Sequence, residues 1–381
     1  MRYCKKCVMP STRPHLTFDD GGVCDACRTA EAKKKVDWKA RKKELEQILD
    51  KYKNKEGTNY DCVIPVSGQK DSYYQTIVIT REFGMNPLCV CSAATVCSEL
   101  GRQNLENFRK LGVDLVHFKF NPIVRRKLTK FGFERFGDHC WPCHFGIFVG
   151  PARVAVAHNI PLMIWGESSV EEYGGPAGLR NSGLLDRTYL ETYGGFLGHE
   201  IEDAIGYEDI QKRDLISYIY PSNEDVKRVG LTGLFLGHYL GWNAKEQVEI
   251  DKQYGFRCAD RRCTGQICNY ENLDCYFVDI HDYLMYVKYG FGRATTQACI
   301  EIHHGRLTRE EAIELVNKYD GEVETVKEFC EYIGITEERF WEVVDSFTNK
   351  NIFKTDRNGK PIRNNYGRLI KKYPLTRSIP K

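Results

Sequence analysis

The feature that most constrains this fold is a short apolar segment followed at once by a polar loop and a helical pattern. The segment at 62–66 reads Cys-Val-Ile-Pro-Val, and the loop at 67–72 reads Ser-Gly-Gln-Lys-Asp-Ser. The first N–H groups of a helix have no partner within the helix and lie at the positive end of its dipole. A loop that joins a strand to a helix in this way predicts an anion site. Its hydroxyls and Asp71 favour phosphate and Mg²⁺ as the ligands.

Strands and helices alternate from this loop onward. Apolar runs predict strands at 62–66, 87–92, 115–120 and 161–167. Helical patterns lie at 70–83, 98–111, 122–131 and 142–158, and the first three end before glycines 84, 112 and 132. This alternation favours a parallel sheet whose ligands bind beyond the carboxyl ends of the strands. We therefore expect a Rossmann-like α/β fold with Ser67 and Glu167 at such ends, and a candidate last strand at 217–220.

The chain divides into four predicted regions. They are a zinc ribbon at 1–30, a helical connector at 31–57, a phosphate-loop domain at 58–221 and a mostly helical C-terminal region at 222–381. The phosphate-loop domain contains a glycine-rich insertion at 168–214. A loop of this length beside the strand ends is usually a lid or a binding region.

Composition and charge exclude several classes of protein. The chain has 55 Lys and Arg against 52 Asp and Glu, which gives a net charge of +3. This balance disfavours a nucleic acid as partner. No apolar run reaches 18 residues, and the N-terminus lacks the apolar stretch of a secretory signal, so we expect a cytoplasmic protein with no membrane partner.

Two C-x-x-C pairs near the N-terminus have the spacing of a zinc ribbon. Cys4 and Cys7 are separated from Cys24 and Cys27 by sixteen residues. Each pair directs two thiolates at one ion, and four thiolates complete a tetrahedral shell. The four cysteines therefore predict a structural Zn²⁺ site that stabilises about thirty residues and leaves no position open for catalysis, with redox dithiols or an iron–sulfur site as the alternatives.

The loop at 67–72 resembles the SGGxDS loop of the PP-loop ATP pyrophosphatases. These enzymes adenylate a carbonyl or amide oxygen and release pyrophosphate. Gln69 occupies the position of the second glycine in that pattern. A side chain there is expected to narrow the pocket or to change the loop conformation. The pattern G-x4-G-K-[ST] of other nucleotide-binding loops is absent, which disfavours γ-phosphoryl transfer.

Over nearly the whole chain the motifs are similar to those of the N-acetyl sugar amidotransferase family. The shared segments are 4–10, 67–72, 140–144, 165–167, 172–175, 288–294 and 305–312. This family converts an acetamido group of a nucleotide-activated sugar into an acetamidino group, in O-antigen and pseudaminic- or legionaminic-type sugar synthesis. The resemblance implies ATP, Mg²⁺ and Zn²⁺ as cofactors. It also implies a nucleotide-activated N-acetyl sugar as substrate and a glutaminase–cyclase pair as the partner that supplies ammonia.

The resemblance also implies roles for individual residues. Those expected to hold ATP and Mg²⁺ are Ser67, Gly68, Gln69, Lys70, Asp71 and Ser72. Those expected to be catalytic are Asp71, Ser72 and Glu167. Those expected to contact the sugar substrate are Glu172, Tyr173, Gly174, Gly175, Lys288 and Arg293. The structural alternatives are a solvated Lys70, solvated Lys288 and Arg293, and a Glu167 that pairs with an arginine such as Arg180 or Arg293. His303 and His304 are expected at the surface.

Cys140 and Cys143 allow two further hypotheses. Related tRNA-thiolating PP-loop enzymes carry a C-x-x-C pair about seventy residues after the loop and bind an iron–sulfur cluster with a later cysteine. Cys140 follows Ser67 by 73 residues, and the later cysteine would be Cys258, Cys263 or Cys268. The pair is thus a candidate site for an iron–sulfur cluster or a second Zn²⁺, or else a reduced pair. The competing functions are an ATP-dependent sulfurtransferase and a non-catalytic binding subunit, the latter favoured by Gln69.

Overall fold

The computed structural model describes residues 1–92, 94–174, 183–185, 189–190, 196 and 198–377. Gly175, which was predicted to contact the substrate, lies outside the described residues, as does much of the predicted glycine-rich insertion.

The core of the fold is a six-stranded sheet. Its strands are β1 (Cys62–Val66), β2 (Pro87–Ser92), β3 (Asp114–Phe118), β4 (Leu162–Trp165), β5 (Leu184–Leu185) and β6 (Thr232–Phe235). Their order across the sheet is β3-β2-β1-β4-β6-β5, and only the pairing of β5 with β6 is antiparallel. The predicted α/β class with a parallel sheet is therefore confirmed.

The strand order distinguishes one position along the carboxyl edge of the sheet. The chain runs outward from β1 through β2 to β3 and then returns to β4 on the other side of β1. The carboxyl ends of β1 and β4 are therefore adjacent where the direction of winding reverses. In open α/β sheets this is the place where ligands bind.

Helices cover both faces of the sheet and form most of the C-terminal region. They are α1 (Asp25–Lys33), α2 (Trp38–Leu49), α3 (Lys70–Ile77), α4 (Glu99–Phe108), α5 (Pro122–Phe136), α6 (Trp141–Ala157), α7 (Ser169–Tyr173), α8 (Asn223–Val229), α9 (Leu236–Tyr239), α10 (Ala244–Gln253), α11 (Val278–Tyr289), α12 (Arg293–His303), α13 (Arg309–Tyr319), α14 (Val326–Ile333) and α15 (Glu337–Phe347). Local sequence explains several ends. The Asn121 side chain accepts the Ile123 N–H before α5, for example, and Thr308 and Glu311 form a capping box at α13.

The predicted end of α5 at Gly132 was wrong. The helix continues to Phe136 and ends at Gly137, which has a φ of 58°. Gly132 serves instead for close packing, because a Cβ there would lie 2.5 Å from the Asp138 carbonyl oxygen. The turn between α5 and α6 can therefore pack directly against the α5 backbone.

The candidate last strand at 217–220 was also wrong. Tyr218 ends a 3-10 helix (Lys212–Tyr218), and its buried ring stacks on Phe120 with centroids 4.3 Å apart. The last strand is β6, which lies beyond residue 221. The sheet thus extends into the region predicted as C-terminal and helical, and the division into domains stays a prediction.

The N-terminal ribbon packs on the C-terminal helices. Its four cysteines are fully buried, and their cluster includes Ala298 and Cys299 of α12 and Ala312 of α13. The Arg309 guanidinium donates to the Cys7 carbonyl at 3.1 Å. The two ends of the chain therefore support each other, and α12 connects the ribbon to the sheet edge where ligands are expected.

Candidate functional site

The loop after β1 has a conformation that requires a glycine at position 68. Gly68 has a φ of +77°, and a Cβ there would lie 2.9 Å from the Leu105 backbone nitrogen. Only glycine adopts this conformation in this space without strain. The Ser72 hydroxyl, at the start of α3, accepts the Ser67 N–H at 2.9 Å and closes the loop.

Gln69 is accommodated without the expected distortion. Its φ of −89° is ordinary for a residue before a helix, because the left-handed conformation falls on Gly68. The buried side chain accepts the Leu273 N–H through Oε1 at 2.9 Å. Gln69 therefore connects the loop to the segment before α11, and its Nε2 has no partner among the described residues.

Lys70 is buried among carboxylates, which contradicts the solvated alternative. Its Nζ lies 2.7 Å from Asp71 Oδ1 and 3.7 Å from Glu271 Oε1. Burial alone would lower the pKa of Lys70, but Asp71, Glu271 and Glu167 together hold that pKa well above its usual range. Lys70 is therefore a fixed cation at the start of α3.

Glu167 follows β4 and faces the same loop. Burial and the Asp71 charge together raise the pKa of Glu167 to about 8, and Lys70 opposes the shift. The alternative ion pair between Glu167 and Arg293 is not formed, and Arg180, the other arginine considered, lies outside the described residues. Arg293 instead donates to Asp282 Oδ1 from Nη2 at 2.9 Å and from Nε at 3.1 Å.

A cavity of about 740 Å³ opens between the ends of β1 and β4. This volume lies within the usual range of ligand sites. Predicted site residues in its lining are Ser67, Gln69, Lys70, Asp71, Ser72, Glu167, Tyr173, Arg293 and, from the cysteine pair, Cys143. The fold thus brings segments that are far apart in the sequence around one space.

Three of the predicted substrate residues lie outside this lining. Glu172 forms an ion pair with Lys33 of α1. Gly174 packs so closely on the ribbon that a Cβ would lie 2.9 Å from Asp25 Oδ1. The Lys288 ammonium lies 3.4 Å from the Phe136 carbonyl, near the turn that precedes α6.

The sequence did not single out several residues that do line the cavity. Glu271 and Asp274 come from a cysteine-containing stretch that reads as a loop, and Arg13 comes from the ribbon. Glu271 accepts the Gln297 side-chain amide at 2.9 Å, and burial raises the pKa of Asp274 to about 6. No local spacing marks these residues, because their position depends on how the C-terminal region packs.

The four N-terminal cysteines have the geometry of a metal site. The Sγ atoms of Cys4 and Cys27 are 3.8 Å apart, and those of Cys7 and Cys24 are 3.7 Å apart. All four lie within 4.8 Å of one another. Zinc–sulfur bonds of about 2.3 Å in a tetrahedron place sulfurs about 3.8 Å apart, so the cluster fits Zn²⁺. His303, expected at the surface, is half-buried, with Nε2 3.2 Å from Cys27 Sγ.

The two cysteines at the start of α6 have different surroundings. Cys143 Sγ accepts from the Arg125 guanidinium at 3.4 Å and faces the cavity, whereas Cys140 groups with Asp138 and His281. Burial raises the pKa of both thiols. The later cysteine that interacts electrostatically with them is Cys275. Cys263 and Cys268, which were considered for this role, instead share a backbone hydrogen bond of 3.2 Å.

Comparison with known proteins relates the C-terminal part to sugar metabolism. Residues 264–367 match the family described as LPS biosynthesis protein WbpG-like, C-terminal domain. The matched segment contains Glu271, Asp274 and Arg293 of the cavity lining. A lipopolysaccharide biosynthesis domain fits a sugar-modifying biosynthetic role.

One curated relative is an uncharacterized protein of Methanocaldococcus jannaschii. It is 36% identical over 88 residues, which is 23% of this chain. The match covers 31% of that relative, so it spans about a third of the length of the archaeal protein.

Among the described residues, no helix is both long and apolar enough to cross a bilayer.

Proposed function

We propose that this protein is an ATP-dependent amidotransferase that acts on a nucleotide-activated N-acetyl sugar. It converts the acetamido group to an acetamidino group, with AMP and pyrophosphate as co-products, in bacterial surface polysaccharide or nonulosonic acid biosynthesis. The observation that carries this proposal is the cavity at the β1–β4 switch point. There the loop at 67–72 faces Glu167, and one wall comes from the segment that matches a lipopolysaccharide biosynthesis domain.

The proposed reaction solves a specific chemical problem. An amide carbon is a weak electrophile and an amide oxygen is a poor leaving group. Attack of the amide oxygen on the α-phosphorus of ATP forms an O-adenylated intermediate and releases pyrophosphate. Ammonia then adds to the activated carbon, AMP leaves with the original oxygen, and the nitrogen loses a proton to give the amidine. A glutaminase–cyclase partner would supply the ammonia.

The loop residues suit the binding of the ATP phosphates. Ser67 and the first residues of α3 line the cavity next to the Lys70 ammonium, where the first N–H groups of a helix can bind an anion. The Asp71 carboxylate lines the cavity beside Lys70, and oxygen donors of this kind fit a hard cation. Mg²⁺ held there would neutralise the charge of the departing pyrophosphate.

Glu167 and Arg293 suit the second half of the reaction. A carboxyl group with a pKa near 8 accepts a proton effectively at neutral to mildly alkaline pH. We therefore assign Glu167 as the base that removes a proton from the attacking nitrogen. Asp282 holds the Arg293 guanidinium in a fixed orientation. Arg293 is therefore preorganised to contact a phosphate or carboxylate of the sugar nucleotide.

One observation favours the alternative of a sulfurtransferase. Cys143 lines the cavity, and Cys275 lies near the pair that it forms with Cys140. A sulfur-transfer enzyme would use such thiols beside the adenylated substrate. By contrast, the ordinary φ of Gln69, which fits the loop, argues against the hypothesis of a non-catalytic subunit.

The proposal is tested by AMP release from ATP in the presence of ammonium and a panel of nucleotide-linked N-acetyl sugars. We expect AMP only with both ammonium and one sugar, and that sugar gains NH in place of O. Asp71→Asn is expected to lower the rate about 100-fold or more. Asp50→Asn, at an exposed position on the end of α2, is the matched control. AMP release that responds to sulfide or RNA and not to sugars would contradict the proposal.

A further inference from the structure

A second group of metal-ligating side chains lies apart from the four-cysteine cluster. Asp138 belongs to the turn between α5 and α6, Cys140 precedes α6, and His281 lies in the first turn of α11. One ligand atom from each lies within 4.8 Å of the other two. Three elements of the fold therefore converge here with oxygen, sulfur and nitrogen donors.

The backbone holds these donors in place. The Asp138 N–H donates to the Gly132 carbonyl at 3.0 Å, in the close packing that the absence of a Cβ at Gly132 permits. The Cys140 N–H donates to Asp138 Oδ1 at 2.9 Å, which fixes the carboxylate relative to the thiol. His281 Nδ1 lies 3.6 Å from the same Oδ1. Too long for a strong hydrogen bond, this separation leaves room for an ion between the two groups.

Buried imidazoles beside the group supply a second, independent observation. His139 is fully buried, its Nε2 is 3.4 Å from Cys140 Sγ, and its Nδ1 has no hydrogen-bond partner among the described residues. His139 therefore places a further buried nitrogen donor beside the Cys140 thiol. His144 Nδ1 lies 3.9 Å from Asp138 Oδ2 on the other side and also faces the cavity.

We propose that Asp138, Cys140 and His281 bind one divalent transition-metal ion of the zinc or ferrous class. A thiolate, an imidazole and a carboxylate together suit these ions, whereas Mg²⁺ and Ca²⁺ prefer oxygen donors alone. Three protein ligands leave a further coordination position, in contrast to the closed four-cysteine site. The inference does not depend on the proposed function.

The test is the metal content of the full-length protein after anaerobic purification and equilibration with Zn²⁺ or Fe²⁺. We expect two metal equivalents per chain, of which one is lost in His281→Ala and in Cys140→Ser. The controls are His117→Ala, at an exposed position, and Cys143→Ser, and both are expected to keep two equivalents. Circular dichroism confirms that each variant is folded, and His281→Gln replaces His281→Ala if that variant does not fold.

A second readout identifies the ligands directly. The Co²⁺-substituted parent protein is expected to show a sulfur-to-cobalt charge-transfer band from this site. That band should be absent from the spectra of both His281→Ala and Cys140→Ser. One equivalent of metal in the parent protein after equilibration would overturn the proposal. Iron and sulfide lost together in Cys143→Ser and Cys275→Ser would also overturn it, in favour of a cysteine-only cluster.

Discussion

The four-cysteine cluster and the main cavity differ in how far apart their residues lie in the sequence. The cluster uses Cys4 to Cys27, and its thiols meet through a bend at 5–7 and the first turn of α1. The cavity joins Arg13, the loop at 67–72, Glu167, Glu271 and Arg293, which only the complete fold brings together. Local spacing therefore determines the first site, whereas the second depends on strand order and on the packing of the C-terminal helices.

Loss of the ribbon metal is expected to have the largest effect on stability. Structural zinc supplies on the order of 10 kcal/mol of folding free energy in isolated zinc fingers. Cys7→Ser should therefore lose the zinc and lower the thermal unfolding temperature of the whole chain, because the ribbon packs on α12 and α13. Cys97→Ser, at an exposed thiol, is the control. A ribbon that keeps its fold after zinc is removed would show that the site is not structural.

The loop after β1 should respond very differently to changes at two adjacent positions. Gly68→Ala places a Cβ against the Leu105 backbone at a positive φ, and we expect a loss of about 1–3 kcal/mol in the free energy of unfolding together with weaker ATP binding. Gln69→Gly removes a buried side chain that accepts the Leu273 N–H but creates no clash with the backbone, and a smaller loss of about 1 kcal/mol is expected. Denaturant unfolding and calorimetric titration with ATP measure both effects. A larger effect at Gln69 would contradict this assignment of the loop.

The pH dependence of AMP formation tests the role of Glu167. A base must be ionised, and the pKa of Glu167 is raised to about 8 by burial and by the Asp71 charge. We therefore expect kcat/KM to increase with pH up to about 8 and then to level off. Glu167→Gln should lower the rate and remove this step from the profile. An unchanged profile in the variant would assign the titration to another group.

Asp251, on α10 behind the phosphate loop, should affect stability only through its dependence on pH. Its carboxyl group is fully buried without a hydrogen-bond partner among the described residues, and burial together with the Asp71 charge raises its pKa to about 9. The folded state therefore holds this proton more tightly than the unfolded state does. Stability is expected to fall as the pH rises from about 4 to about 9. Asp251→Asn should flatten that decline in pH-dependent unfolding curves, and an equal decline in the variant would contradict the assignment.

Sequence reasoning was most successful where the physical cause is local. The strands at 62–66 and 87–92 are confirmed because buried parallel strands have continuous apolar runs. The capping box before α13 has the same kind of local cause, since its two residues are three positions apart. The four-cysteine cluster likewise follows from spacing alone.

The failures arise from contacts between distant residues. Gly132 was taken for a helix end, but its lack of a Cβ serves the packing of the turn at Asp138. The strand at 232–235 was missed because four residues that include a glycine give no clear apolar alternation. Glu271 lies next to Lys70 through the packing of a C-terminal loop, and no pattern within that loop predicts this.

Adenylation of the amide oxygen is tested most directly by following the oxygen atom of the acetamido group. The nucleotide-activated sugar that supports AMP release is prepared with ¹⁸O in that carbonyl, and the AMP formed with ammonium is analysed by mass spectrometry. If the amide oxygen is adenylated in the cavity at the β1–β4 switch point, each AMP carries one ¹⁸O in its phosphate. AMP without the label, while the sugar still gains nitrogen, would contradict the account.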